Sequence, residues 1–263
     1  MAGKAAAVAL EGVALRYGPF TAIESISFDV PQGQFVALVG PTGCGKSSVL
    51  NLVAGLVGPS EGEVTTAGRP VTTVNRECAY MFQADALLPW KSALDNVALG
   101  PNLRGTSRPG ALRLAREWLV RVGLRGFEDR YPHQLSGGQR KRVAMAQALI
   151  NRLPILLMDE PFSALDAQTR ALMEQELLTL WQEQEATVLF VTHDLEEAIA
   201  LSDRVVLFTA GPKAALKGDY AVELPRPRNV VEARFTPGFN DIYEQVWNDL
   251  RSEVIASYER QRA

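Results

Sequence analysis

An apolar run that stops at a glycine-rich turn and restarts as a helix leaves a chain few ways to fold. Residues 35–56 read FVALVGPTGCGKSSVLNLVAGL. FVALV has the composition of a strand buried on both faces, and the spacing from Lys46 predicts a helix to Leu56. Between them Gly40, Gly45, Lys46 and Ser47 match G-x-x-x-x-G-K-[ST]. Glycines let the backbone curl until successive N–H groups point at one phosphate, and the helix N-terminus adds partial positive charge. Pro41, Thr42, Gly43, Cys44 and Ser48 would complete that cradle, Lys46 would neutralise the terminal phosphates, and the Ser47 hydroxyl would ligate Mg²⁺.

The rest of the chain builds on this strand, loop and helix. VALEGVALRYG and AIESISFDV read as strands punctuated by Gly18-Pro19 and Pro31-Gln32-Gly33, and CAYMFQ as another short strand. From about Leu94 to Ala148 the pattern is mostly helical with polar loops, a helical insertion. PILLMDE and TVLFVTHD then read as buried strands separated by the helical AQTRALMEQELLTLWQEQ, the rhythm of an α/β fold with a mostly parallel sheet. A hydrophobic share of 47% and a charged share of 22% in 263 residues suffice for a core without staples. Two cysteines and two histidines leave no disulfide framework and no histidine-rich metal site. A net charge of −3 argues against broad nucleic-acid binding, no apolar run is long enough to span a bilayer, and the start does not read as a cleaved signal peptide, which predicts a cytoplasmic protein.

Strand ends are where ligands bind in open parallel sheets. ILLMDE delivers Asp159 and Glu160 at such an end, Asp159 to hold the Mg²⁺ shell and Glu160 to polarise an attacking water. His193 ends the next buried strand and would reach a γ-phosphate, while Gln83 ends CAYMFQ and would touch Mg²⁺ or the water. Lys46, Glu160 and His193 are thus the candidate catalytic residues. A second glycine-rich helix start, LSGGQ at Leu135 to Gln139, is left over.

Tyr17, GPTGCGKS, Gln83, LSGGQ, ILLMDE, the SALD of Ser163 to Asp166, and His193 occur in the order found in ABC transporter ATPases, which the chain resembles over roughly residues 8 to 225. The resemblance implies a P-loop NTPase fold with a mostly parallel sheet core, an N-terminal antiparallel β subdomain and a helical subdomain at about 90–150. It implies an ATP-hydrolysing domain over 1–225, followed by a tail over 226–263. ATP and Mg²⁺ are the implied ligands, with Tyr17 stacking on adenine. In that family two copies pair head to tail, so Ser136, Gly137, Gly138 and Gln139 would close on the ATP of the partner chain and Asp166 would lie at the dimer contact.

Within the family, FQADALLPWKSALDNVALG and the tail ELPRPRNVVEARFTPGFNDIYEQVWNDLRSEV look like bacterial importers of nitrate, sulfonate, taurine and similar small anions or precursors. That likeness implies integral-membrane permease subunits, indirectly a substrate-binding protein, and a peripheral place on the cytoplasmic face of the inner membrane. The alternative is a soluble ABC-type ATPase powering assembly or nucleic-acid maintenance, whose coiled-coil insertion and basic stripe are missing. Leu87, Leu88, Pro89 and Trp90 are open to two readings, internal packing or a docking surface for a permease. Phe239, Ile242, Tyr243, Val246, Trp247, Leu250 and Val254 form an apolar helical stripe that fits the chain's own core, with a partner groove as the other reading. Cys44, at a helix N-terminus beside Lys46, is expected to carry a favoured thiolate and to react faster than Cys78.

Overall fold

The computed structural model describes residues 6–262. β1 (Ala6–Tyr17) and β2 (Phe20–Pro31) form a hairpin, β3 (Phe35–Val39) leads through the glycine-rich loop into α1 (Lys46–Val53), and β4 (Glu61–Thr66), β5 (Arg69–Pro70) and β6 (Cys78–Met81) follow. α2 (Ala93–Leu103), α3 (Arg108–Arg121) and α4 (Gly137–Leu149) come next, then β7 (Ile155–Asp159), α5 (Ala167–Gln184), β8 (Thr187–Val191), α6 (Leu195–Leu201), β9 (Arg204–Phe208) and β10 (Ala214–Ala221). α7 (Val230–Ala233) and α8 (Phe239–Arg262) close the described chain.

The strands form one ten-stranded sheet in the order β5-β4-β1-β2-β10-β9-β3-β8-β7-β6. From β9 to β6 every pairing is parallel, as the strand–helix–strand rhythm predicts. The β1, β2, β4 and β5 pairings are antiparallel. β10 joins the two halves, antiparallel to β9 and parallel to β2. β9, β10 and α6 have no counterpart in the sequence reading.

Alternation along the parallel strands divides the core in two. Phe35, Ala37 and Val39 of β3, Met158 of β7 and Phe190 of β8 face the helices α2 to α6, with Trp118, Val143, Leu177 and Ile199. Val36, Leu38, Leu157, Leu189 and Phe208 face the other way, onto Val49, Leu50, Leu52 and Val53 of α1 and the inner faces of β1 and β2. Strands buried on both faces read as unbroken apolar runs, which is why FVALV and ILLMD show no alternation.

α1 ends at Val53, three residues short of the expected Leu56, because the chain leaves the helix through Gly55 at φ +68. The proline-rich ELPRPRNV is pinned to the core. The Arg226 guanidinium lies 4.4 Å over the Trp181 ring and bonds Asp203, and buried Arg228 donates to the carbonyls of Ile199, Ser202, Val222 and Leu224. The bonds to Ile199 and Ser202 satisfy carbonyls that the end of α6 leaves open. On α8 the apolar stripe splits. Phe239, Val246 and Leu250 are buried with Ile242 and Tyr243 packed beside them, whereas Trp247 and Val254 stay exposed with Ile255 and Tyr258.

Where α5, α6 and α7 meet, a carboxyl is buried without a partner. Glu174 is 5% exposed and its Oε1 accepts no hydrogen bond. It shares a small cavity with Arg170, Asp194, Glu196, Glu197 and Arg234. Burial, then the charge of Glu197, pushes the Glu174 carboxyl up to about 7, against the pull of Arg170 and Arg234. A carboxyl whose folded value is raised binds its proton more tightly when folded, so its ionisation costs stability as pH rises from the unfolded value of about 4.3 through 7. Glu174→Gln should therefore stabilise the fold by about 3 kcal/mol at pH 8 and by about 1 kcal/mol or less at pH 5. Thermal unfolding at the two pH values checks this, and a gain equal at both, or a loss at pH 8, contradicts it.

Candidate functional site

The site grows from the carboxyl end of β3. Its glycine-rich loop turns into α1 through Gly45, whose φ of +94 is the left-handed conformation that a side chain disfavours. Buried Lys46 folds back over the loop, its Nζ donating to the carbonyls of Gly40 at 2.7 Å and Pro41 at 3.0 Å. The ammonium thus stands at the mouth of the cradle, held by weak neutral acceptors that a phosphate would outcompete.

Three other strand ends bring the remaining candidates to this point. Glu160, the residue after β7, has φ +46, a backbone conformation rare outside glycine that clusters at functional sites. Its N–H is tied to the Val191 carbonyl at 2.9 Å, fixing it against the end of β8. One carboxylate oxygen accepts from the Gln83 amide at 3.2 Å and the other lies 3.5 Å from His193 Nδ1. Gln83 follows β6 and His193 follows β8, so the three candidates converge although 110 residues separate the outer two (193 − 83). Behind His193, Thr192 donates to Glu197 at 2.6 Å and accepts from the Asp194 N–H, and Asp194 caps α6.

Asp159 is buried, and its Oδ1 lacks a partner. Burial raises its carboxyl above the usual range, while a hydrogen bond from Ser47 pulls it down. An unpaired buried carboxylate oxygen beside a serine hydroxyl suits a hard cation that takes oxygen ligands. Ser47 and Asp159 thus fit Mg²⁺ completed by phosphate oxygens and water, with Gln83 bonded to the adjoining Glu160.

The second glycine-rich start behaves differently. Ser136 caps α4, accepting from the Gln139 N–H at 3.2 Å, while the Gln139 side chain accepts from the Ser136 N–H at 2.8 Å. That reciprocal cap leaves the first-turn N–H groups of Gly137 and Gly138 without intrahelical acceptors. Gly138 abuts the SALD segment, where an added Cβ would lie 3.3 Å from Leu165. Asp166 of that segment is exposed and caps α5 by accepting from the Thr169 N–H, which holds its carboxyl below the usual range. Tyr17, at the end of β1, is 49% exposed. Trp90 is 71% exposed while Leu87 packs partly on the core, so the two readings of this segment divide between its residues.

One residue with a clear role escaped the sequence reading. Lys141, buried on α4, donates to the Gln83 carbonyl at 2.5 Å and lies 3.9 Å from Asp85, which Arg140 also binds at 2.9 Å. The helix of the second glycine-rich start therefore grips the Gln83 loop. Its only signal was a run of three cations, Arg140 to Arg142, one helical turn after that start.

The expected favoured thiolate at Cys44 is overturned. Its side chain is fully buried beneath the loop, and burial pushes the thiol up despite Lys46, whose Nζ sits 3.7 Å from Sγ. Cys78 is half-buried and pushed up to about 12. Side-chain direction, which the loop sequence does not specify, decides the outcome: Cys44 points into the core and leaves only its backbone to the cradle.

Residues 23–163 match the protein family described as ABC transporter. Among relatives, the chain is 48% identical to an aliphatic sulfonates import ATP-binding protein, SsuB 2, of Pseudomonas aeruginosa, across 86% of this chain and 80% of that one. It is 41% identical to the nitrate import ATP-binding protein NrtC of Synechococcus elongatus, across 90% of this chain and 36% of that one. Among solved structures, the ATP-binding cassette MJ0796, dimeric in a post-hydrolysis state with ADP and Pi, is 31% identical with a TM-score of 0.73, covering 82% of this chain and 99% of that one.

Proposed function

The chain belongs to the ABC transporter family, and on that premise we propose that it binds and hydrolyses ATP as the energy-supplying subunit of an importer for a small anion such as nitrate or a sulfonate. The observation that carries this reading is the convergence of Gln83, Glu160 and His193 on one point beside the phosphate loop. In this reading the cradle N–H groups and Lys46 bind the phosphates, and Tyr17 stacks on the adenine. Ser47, Asp159 and Gln83 hold Mg²⁺, which when bound neutralises phosphate charge. Glu160 accepts a proton from water as the water oxygen bonds to the γ-phosphorus; the bond to the bridging oxygen breaks and its electron pair leaves with ADP. His193, held against Glu160, steadies the γ-phosphate.

The half-site at Ser136 to Gln139 serves a second copy of the chain. Its open N–H groups at a helix start suit phosphate oxygens, and the dimeric state of MJ0796 supports such a pairing. ATP then belongs to two chains at once, so binding favours closure and hydrolysis releases it. Asp166, exposed and next in sequence to the Leu165 that Gly138 abuts, is assigned to that contact.

Among the described residues no helix is long and apolar enough to cross a membrane. The import path is accordingly assigned to separate permease subunits, fed by a substrate-binding protein, with this chain peripheral on the cytoplasmic face. A cleft of about 820 Å³ between β6, α2 and α4, lined by Phe82, Leu103 and Arg104 and opening beside the Gln83 loop, offers the docking surface, with exposed Trp90 nearby in sequence.

Two experiments test this reading. Lys46→Ala should weaken ATP binding about 100-fold, and Ser136→Arg should leave binding to the single chain intact while blocking hydrolysis. In a mixture of the two variants one site of each heterodimer carries both defects and the other neither, so partial recovery of hydrolysis is expected. A strict average of two inactive proteins, with heterodimers demonstrated, contradicts a shared site. Tagged chain purified from native membranes should bring an integral-membrane permease with it, and Leu103→Glu should release that partner while hydrolysis by the isolated chain continues. A chain recovered without any membrane protein contradicts the importer assignment.

A further inference from the structure

The C-terminal helix reaches the phosphate loop through one turn of chain. Residues 209–213 connect β9 to β10, and they lie directly behind the cradle: a Cβ added at Gly211 would stand 2.8 Å from the Gly43 carbonyl oxygen and 3.4 Å from Cys44 Cα. The neighbouring Phe208 approaches the other end of the loop, its carbonyl oxygen 3.0 Å from where a Cβ on Gly40 would be. At such distances neither side moves without the other. The turn is held on its far side by α8. Glu253, with 13% of its side chain exposed, accepts the Ala210 N–H at 2.9 Å through one oxygen and pairs with Lys217 of β10 at 3.1 Å through the other. Lys213 N–H, bonded to the Thr21 carbonyl at 2.9 Å, closes the turn against β2.

We propose that Glu253 is a positioning residue for nucleotide binding, holding the 209–213 turn against the back of the phosphate loop so that the cradle stays in its binding-competent shape. The inference rests on the reading of the loop as an ATP site. A hydrogen bond to an ionised carboxylate is about twice as strong as a neutral one, and half-burial shields it from competing water. Without it the turn retreats, Gly43 loses its backing, and the loop spends less time with its N–H groups convergent. Apparent affinity falls in proportion to that competent fraction, whereas the chemical step within the occupied site is untouched.

The split between KM and kcat is therefore the diagnostic readout. Glu253→Ala should raise the KM for MgATP about fivefold while kcat at saturating MgATP stays within about twofold of the parent. Glu253→Gln, which keeps an oxygen for the Ala210 N–H, should restore most of the affinity. Gly211→Ala should raise KM similarly from the other side, without touching α8. Tyr220→Phe is the control for loosening of the helix itself. It removes the Tyr220 bond to Asp249 of α8, 2.5 Å long and one turn before Glu253, and should lower the melting temperature with KM unchanged.

Parent-like KM in Glu253→Ala overturns the inference, as does a rise in Tyr220→Phe equal to that in Glu253→Ala. If the parent binds MgATP by calorimetry and these results follow, only the positioning role fails. A parent that binds no nucleotide overturns the ATP reading of the loop and this inference with it.

Discussion

Everything at the site hangs from β3, a five-residue strand with no exposed side. Phe35 to Val39 are all buried, paired in parallel with β8 on one edge and β9 on the other. A strand so enclosed cannot shift register without moving both cores, so the point where it ends is fixed to within a fraction of a residue. The glycine-rich loop starts from that point. β7 pairs with the far edge of β8 and β6 with β7, which brings Asp159, Glu160, Gln83 and His193 level with the loop mouth. The geometry of the site is thus a consequence of parallel register, and the polar residues only use positions the apolar ones define.

Much of this was legible because the signals are local. The phosphate loop, the strand ends at Asp159 and His193, and the helix Ala167–Gln184 each declare themselves within a few residues. What the sequence did not disclose depends on contacts across the chain. β10 runs parallel to β2 and antiparallel to β9, a joint that no local pattern marks. Lys141 and Arg228 are cations on unremarkable stretches whose work is to satisfy distant backbone carbonyls. Cys44 shows the same limit at one position, since its neighbours in sequence favour a thiolate and its burial in the core opposes one.

The buried charges share a logic. Arg228, Lys141 and Glu253 each bond backbone groups of a turn or helix end, Glu253 alongside Lys217 and Lys141 alongside Asp85. Such bonds satisfy backbone groups that would otherwise be costly to bury, and they connect elements far apart in sequence. Lys141 ties the helix of the second glycine-rich start to the Gln83 loop, and Arg228 ties the tail to the C-terminal end of α6. Movement of the helix that carries Lys141 would accordingly be felt at the three-residue convergence.

The central claim is that ATP is held by two chains, with Glu160 needed to release them. The most direct measurement is the mass in solution of Glu160→Gln, by light scattering, in saturating MgATP and then MgADP. The amide keeps the shape of the carboxylate but accepts no proton, so the account predicts twice the mass of a single chain with MgATP and a single chain with MgADP. A single chain in both nucleotides, with MgATP shown to be bound, would contradict it.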